Sequence, residues 1–444
     1  MQLFDVASRC AVAAVVAMAG VAVSAQVVDA PMASAAPASA DPFYSYDGPD
    51  PLAEVSPGAV LKTRTVDFHV AGIPLPIKVT QLLYRTTSAL GAPAVTAASV
   101  MKPIVPTAQT RLVSYQSAYD SLSSSCQPSY NVAGGFDEPL GSAFTAEAAG
   151  VIALLTAGYT VVVSDFEGQR PDFGVGPQAG MGVLDGIRAA MNSPEVGLPA
   201  DVPIGMIGYS GGGIGTEWAS ELAPEYAPDV NSHLVGAASG GLPANPIRNI
   251  SYAEGSLFWS TVLPMALVGI SRAYEVDMTP YLTDYGQRIT NTVQNGCLDR
   301  AALNGGPLLQ WGQMVKPEYP RPESIPALVR VANKLIMSTG GTPTIPLYIA
   351  QGTIGELEGT LTKPELGAGD GIMLAGDTAG LAQEYCNRGV TVQYEQYPGS
   401  HGIAGSVWEL KTIGWLADRF NGVPAPQNCG ALPPGDLPRP LPES

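Results

Sequence analysis

Pro203-Ile204-Gly205-Met206-Ile207-Gly208-Tyr209-Ser210-Gly211-Gly212 runs from an apolar stretch straight into a glycine-bracketed serine. Its first half has the composition of a strand buried on both faces, as in a parallel sheet. Its second half fits G-x-S-x-G, the turn that lifts a serine between a strand and a helix. The glycines matter because such a strained turn packs backbone on backbone, where any Cβ would collide. In a chain with 51 Gly the pentapeptide alone is weak evidence. Its setting strengthens it: a strand directly precedes it, and a helix-like run, residues 214–222, follows. Ser210 reads as a nucleophile.

Working outward, the same rhythm recurs. Tyr159-Thr160-Val161-Val162-Val163, Leu234-Val235-Gly236-Ala237-Ala238, Pro346-Leu347-Tyr348-Ile349-Ala350 and Val390-Thr391-Val392-Gln393-Tyr394 are further buried-strand patterns. Helical patterns cover residues 143–157, 178–191, 378–386 and 406–420. Shorter β-rich runs, Ile77 through Tyr84 and Arg111 through Tyr115, come earlier. This alternation predicts an α/β fold with a mostly parallel, doubly wound sheet. It breaks between residues 243 and 342, which read as an inserted, mainly helical cap dividing a core of 52–242 and 343–430. Within the cap, the apolar run 257–268 is either a helix buried against the core or the lining of an apolar substrate channel.

The ends read differently. Cys10 to Val23 is an unbroken run of 14 apolar and small residues before Val23-Ser24-Ala25. That is short for a membrane span and suits a cleaved signal over residues 1–25, the alternative being a retained anchor. Residues 26–51, rich in Ala, Pro and Ser, read as a flexible lead-in, and 431–444 as a Pro-rich tail, extended or disordered. After cleavage four Cys remain, Cys126, Cys297, Cys386 and Cys429, an even number that suits two disulfides in an exported protein, with free buried thiols as the alternative. No C-x-x-C spacing occurs, so no zinc site is expected. The net charge of −17 disfavours nucleic acid as a partner. Only 14% of residues are charged, against about 25% in ordinary domains.

A serine hydroxyl needs a base, usually a histidine held by a carboxylate. In this architecture the chain order is Ser, acid, His. The chain has three His. His69 precedes Ser210 and His233 follows it by 23 residues, too soon for an acid loop on a later strand; both read as surface or locally satisfied. His401 remains, in the expected loop Tyr397-Pro398-Gly399-Ser400-His401-Gly402. The acid should follow the strand ending at Ala350. Glu356, Glu358, Glu365, Asp370 and Asp377 are within reach; Asp370, in the turn Gly369-Asp370-Gly371-Ile372-Met373, is preferred, Glu356 is second, and the rest read as solvated loop carboxylates.

Several segments together resemble the secretory lipase family of yeasts and bacteria, the lipase-A-like α/β-hydrolases. They are Pro57-Gly58-Ala59-Val60-Leu61-Lys62-Thr63-Arg64, Leu83-Tyr84-Arg85-Thr86-Thr87, Ser114-Tyr115-Gln116, Cys126-Gln127-Pro128-Ser129-Tyr130-Asn131, Ser164-Asp165-Phe166-Glu167-Gly168, Gly182-Val183-Leu184-Asp185-Gly186-Ile187-Arg188-Ala189, Gly208 to Gly212, and Glu225-Tyr226-Ala227-Pro228. The similarity spans residues 53–430. It implies an α/β-hydrolase fold, a lid over residues 243–342, and disulfides Cys126–Cys297 and Cys386–Cys429. It also implies an oxyanion hole at Asp120 and Gly211, the latter being the residue after the nucleophile. The family places its acid soon after the strand, where this chain reads Gly352-Thr353-Ile354-Gly355-Glu356; a Gly-rich insertion separates that point from Asp370, whose 31-residue spacing to His401 matches the family.

The expected activity is that of an exported or cell-envelope-associated serine ester hydrolase on lipids or acyl esters, in transient contact with lipid surfaces and needing no cofactor or metal. A serine peptidase or amidase on the same fold, and a silent lipid-binding relative, are the alternatives.

Overall fold

The computed structural model describes residues 40–136, 143–298 and 306–443. The expected signal segment and most of the lead-in lie outside them.

Among the described residues nine strands form one sheet in the order β1-β2-β3-β5-β4-β6-β7-β8-β9. β1 (Val60–Val70), β2 (Ile73–Thr87) and β3 (Pro93–Met101) form an antiparallel meander that joins β5 (Thr160–Ser164) antiparallel. From β5 onward, β4 (Leu112–Gln116), β6 (Ile204–Tyr209), β7 (Leu234–Gly240), β8 (Leu347–Gly352) and β9 (Val392–Tyr397) run parallel. The expected mostly parallel sheet is present. The antiparallel strands β1 and β3 were not anticipated: β1 is mostly half-exposed, and β3, though largely buried, mixes Ala, Thr and Ser with its apolar residues.

Alternate side chains feed two cores. Val161 and Val163 of β5 face one layer with Tyr348 and Ala350 of β8; Val162, Leu347 and Ile349 face the other. Helix α1 (Ala143–Thr156) covers the first layer through Phe144, Val151 and Leu155, and the closing helix does so through Trp408, Trp415 and Leu416. Helices α2 (Gly176–Asn192) and α3 (Gly211–Tyr226) cover the second through Val183, Ile187 and Trp218. This is the helix-on-both-faces arrangement that continuously apolar strands require.

Between β7 and β8 the described residues hold helices and no sheet strand: α4 (Pro246–Ala253), α5 (Val262–Ala273), α6 (Asp284–Val293) and α7 (Pro326–Asn333). They build their own core, which takes in Ile372 and Met373 from beyond β8. After β8 come α8 (Ala375–Asn387) and α9 (His401–Phe420). Both disulfides form, Cys126–Cys297 and Cys386–Cys429, with Cα atoms 5.7 and 5.5 Å apart. No helix among the described residues is long and apolar enough to cross a membrane.

Two sequence expectations are corrected, and the tail is held in place. The end of the lead-in is not flexible: Phe43 and Tyr44 are buried, and the Arg64 guanidinium stacks 4.0 Å above the Phe43 ring. The tail is docked: Arg248 pairs with Asp436 at 2.6 Å, and Leu441 N–H donates to Asn333 at 2.8 Å. Finally, α9 starts at His401, five residues before the predicted 406, so His401 occupies a helix's first turn and not a loop.

Candidate active site

Four residues singled out from the sequence follow the C-terminal ends of parallel strands: Asp120 after β4, Ser210 after β6, Asp370 after β8 and His401 after β9. In open α/β sheets that edge is where ligands bind.

Ser210 has φ 57° and ψ −124°, a conformation that costs energy for a residue with a Cβ. The turn is held by its N–H, which donates to Gly240 O at 2.9 Å. The two outer glycines of the pentapeptide are sterically required: a Cβ on Gly208 would run into Gly212 O, and one on Gly212 into Gln116 O. Ser210 caps α3, and Gly211 opens that helix, so the Gly211 N–H has no intrahelical acceptor.

Asp370 is fully buried, and its carboxylate is saturated with donors. Oδ1 accepts from Ile372 N at 3.1 Å and Met373 N at 2.8 Å; Oδ2 accepts from Gln351 Nε2 at 2.7 Å and His401 Nδ1 at 2.7 Å. A carboxylate at Nδ1 assigns the ring proton there and leaves Nε2 as the acceptor. His401 Nε2 is buried and has no hydrogen-bond partner among the described residues, the Ser210 hydroxyl included. Burial pulls the imidazole's pKa down, but the charge and hydrogen bond of Asp370, with Glu358 and Asp120 beyond, outweigh it and hold the pKa above the ordinary value. Tyr209 packs its ring 5.0 Å from the imidazole.

Asp120 has φ 34°, and its Oδ1 is buried against Gly211 without a partner. Burial raises this carboxyl to about 7, opposed by the charge of His401. The loop is clamped from both sides by buried carboxylates. Glu147 accepts from the Ser117 hydroxyl and, at 2.9 Å, from Ala118 N; Glu167 accepts from Ser121 N at 3.0 Å. Neither clamp was found from the sequence.

The remaining carboxylates do not all behave as solvated loop groups. Glu356 and Glu365 are exposed. Asp377 is buried and pairs with Arg248 at 2.8 Å. Glu358 takes the Trp259 indole N–H at 2.7 Å and the Gly402 N–H at 3.0 Å. His69 and His233 are locally satisfied, their Nδ1 atoms lying 2.8 and 3.0 Å from the carbonyls of Asp67 and Val202.

The family profile described as secretory lipase matches residues 138–428. The chain belongs to the secretory lipase family. The probable inactive lipase MT1628 of Mycobacterium tuberculosis (strain CDC 1551 / Oshkosh) is 32% identical over 403 residues, 87% of this chain and 83% of that one. Lipase 10 of Candida albicans is 29% identical, covering 88% of this chain and 83% of its own. Among solved structures, Candida antarctica lipase A in its closed state superposes with a TM-score of 0.76 at 27% identity, with 91% of each chain covered. The esterase LipA of Xanthomonas oryzae, at 15% identity and a TM-score of 0.61, shares the fold. The fold is therefore the α/β-hydrolase fold, and the family places the chain among lipase- and esterase-type hydrolases.

The chain also has an apolar pocket of about 80 Å3. Ile214, one helical turn past Ser210, and Met373, whose N–H holds Asp370, are on its wall; Phe173, Ile250, Val262 and Leu263 complete the lining. Within the run 257–268, Met265 and Leu267 are core, while Val262, Leu263 and Ala266 line the pocket.

Proposed function

We propose that the chain is an exported serine carboxylic-ester hydrolase acting on acyl lipids. Ser210 attacks the ester carbonyl while His401 Nε2 takes its proton; the alcohol leaves with that proton, and an acyl-enzyme remains. Water, deprotonated by the same nitrogen, then releases the acid. Asp370 orients the ring and stabilises the imidazolium, and the backbone N–H groups of Gly211 and Asp120 stabilise the oxyanion. The observation that carries the reading is a strained serine on a strand–helix turn beside an Asp370–His401 pair whose outer nitrogen is buried and unspent.

The apolar pocket takes the acyl chain, each buried CH2 contributing about 0.8 kcal/mol. The helical insertion acts as its lid. Leu257, Phe258, Leu308, Leu357, Leu361 and Ile403 are exposed apolar side chains. Backbone bonds from Leu257 to Gly359 and from Leu308 to Ser256 bring their segments together, a surface suited to transient contact with lipid. Two disulfides and the apolar N-terminal run support export.

The Mycobacterium relative, named a probable inactive lipase, favours one second reading, a silent homologue. Labelling of the purified protein by an active-site fluorophosphonate, lost in Ser210→Ala, is the expected result. An unlabelled wild type would refute the enzyme. Turnover of p-nitrophenyl esters but not p-nitroanilides separates esterase from amidase.

A further inference from the structure

Glu358 ends the short 3-10 turn Gly355–Glu358 that follows β8, and its two oxygens reach in different directions. Oε1 accepts the N–H of Gly402, next to His401 in the first turn of α9. That N–H is one of the donors a helix start leaves unsatisfied, and a carboxylate is a strong acceptor for it. Oε2 accepts the indole N–H of Trp259, from the insertion. The Trp259 ring stands edge-on to the His401 imidazole, with centroids 5.1 Å apart and planes at 74°. The surrounding backbone is stitched to match: Leu257 N–H donates to Gly359 O at 3.1 Å, and the Thr360 hydroxyl reaches Ser256 and Gly371 O at 2.6 Å each. At Gly371, in the acid's own turn, a Cβ would come within 3.0 Å of the Trp259 Nε1 and 3.3 Å of Glu358 Oε2.

We infer that Glu358 is a positioning residue of the hydrolytic site: one carboxylate fastens the helix turn that carries His401 to the tryptophan that walls it. The inference rests on the ester-hydrolase reading above. Only a group with two acceptor oxygens serves both donors. In a glutamine one end becomes a donor and faces an N–H. Glu358 also adds negative charge near the imidazole, together with Asp370 from the acid turn and Asp120 from the loop after β4; Tyr209 faces the ring as a neutral phenol. Negative charge favours the imidazolium, so Glu358 adds to the larger effect of Asp370 in raising the pH above which His401 becomes a base.

The test compares wild type, E358Q, E358A and W259F in kcat/KM on p-nitrophenyl butyrate from pH 4.5 to 9. Rates are normalised to active sites counted with a fluorophosphonate, and Tm is recorded for each protein. In both Glu358 variants the acidic limb is expected to move to lower pH, by about one unit or less. The plateau should fall several-fold in E358A and less in E358Q, which keeps one of the two bonds. W259F keeps the charge, so its acidic limb stays put while its plateau falls. An unmoved limb in E358Q and E358A, with or without a lower Tm, overturns the inference while leaving the esterase intact. So does an equal limb shift in W259F. A wild type that neither labels nor turns over ester overturns both.

Discussion

Asp370 grips His401 twice, its Oδ2 accepting the ring Nδ1–H at 2.7 Å and its backbone carbonyl accepting the His401 N–H at 2.7 Å. The double hold fixes both the start of α9 and the ring it carries. Asp370→Asn keeps the backbone bond but loses the charge and permits the wrong tautomer. Its kcat on a soluble ester is expected to drop by about 10^3- to 10^4-fold. Glu356→Gln, at an exposed group bonded to Thr362, should stay within about twofold, as surface changes do. The reverse ranking would move the acid to Glu356.

Filling the apolar pocket should change which esters are used. Ala266 on α5 lines it, and Ala266→Phe places a ring where acyl carbons would lie. Each excluded CH2 forfeits about 0.8 kcal/mol, roughly fourfold in rate. The ratio of p-nitrophenyl laurate to butyrate hydrolysis is therefore expected to fall by at least about tenfold. An unchanged ratio would place the acyl chain elsewhere.

Gly212→Ala tests the turn itself. Its new methyl meets Gln116 O of β4, main chain that cannot swing aside. The substitution should destabilise by about 1–3 kcal/mol and displace Ser210. A lower urea midpoint together with slowed fluorophosphonate labelling is the expected pair of results.

Stability should decline from acid to alkaline pH. Burial pushes Glu147 and Glu221 up to about 8 and Asp165 to about 7, and raises Glu167 as well. Unfolded carboxyls titrate near 4, so between about pH 4 and 8 the folded chain binds more protons than the unfolded one. Linkage then lowers the unfolding free energy as pH rises through that window. Asp229, held low by Arg188, acts oppositely but only below about pH 4. The expected Tm is higher at pH 5.5 than at 8.5, and Glu147→Gln should flatten the slope.

The exposed apolar rim gives a fifth outcome. Replacing Phe258 and Leu361, both more than half exposed, by Ser should lower activity on emulsified triacylglycerol and spare soluble p-nitrophenyl butyrate. Equal losses on both substrates would show that the rim serves folding rather than contact with lipid.

Ser210 and His401 were legible because their signals are local or ordinal: a glycine-bracketed serine between strand and helix, and a chain-order rule applied to three histidines. Asp370 was legible through its tight turn. The supporting groups were not, because their meaning lies in partners far along the chain. Glu358 meets Trp259 across 99 residues, Glu147 meets Ser117 across 30, and Glu167 meets Ser121 across 46. The same reason hid the docking of Phe43 and Tyr44, whose Ala- and Pro-rich surroundings read as linker until Arg64 was seen to stack on them. Gly399 and Gly402 disguised the first turn of α9 as loop.

The Cys126–Cys297 bond joins the loop that bears Asp120 to the helical insertion, and Leu122 N–H to Gly296 O runs alongside it at 3.1 Å. Asp120, the proposed oxyanion residue, and the insertion proposed as a lid are therefore tied together by a bond that needs oxidation. Where thiols are kept reduced, that bond is not made. In the exported hydrolase proposed above, that fastening would form only in an oxidising compartment.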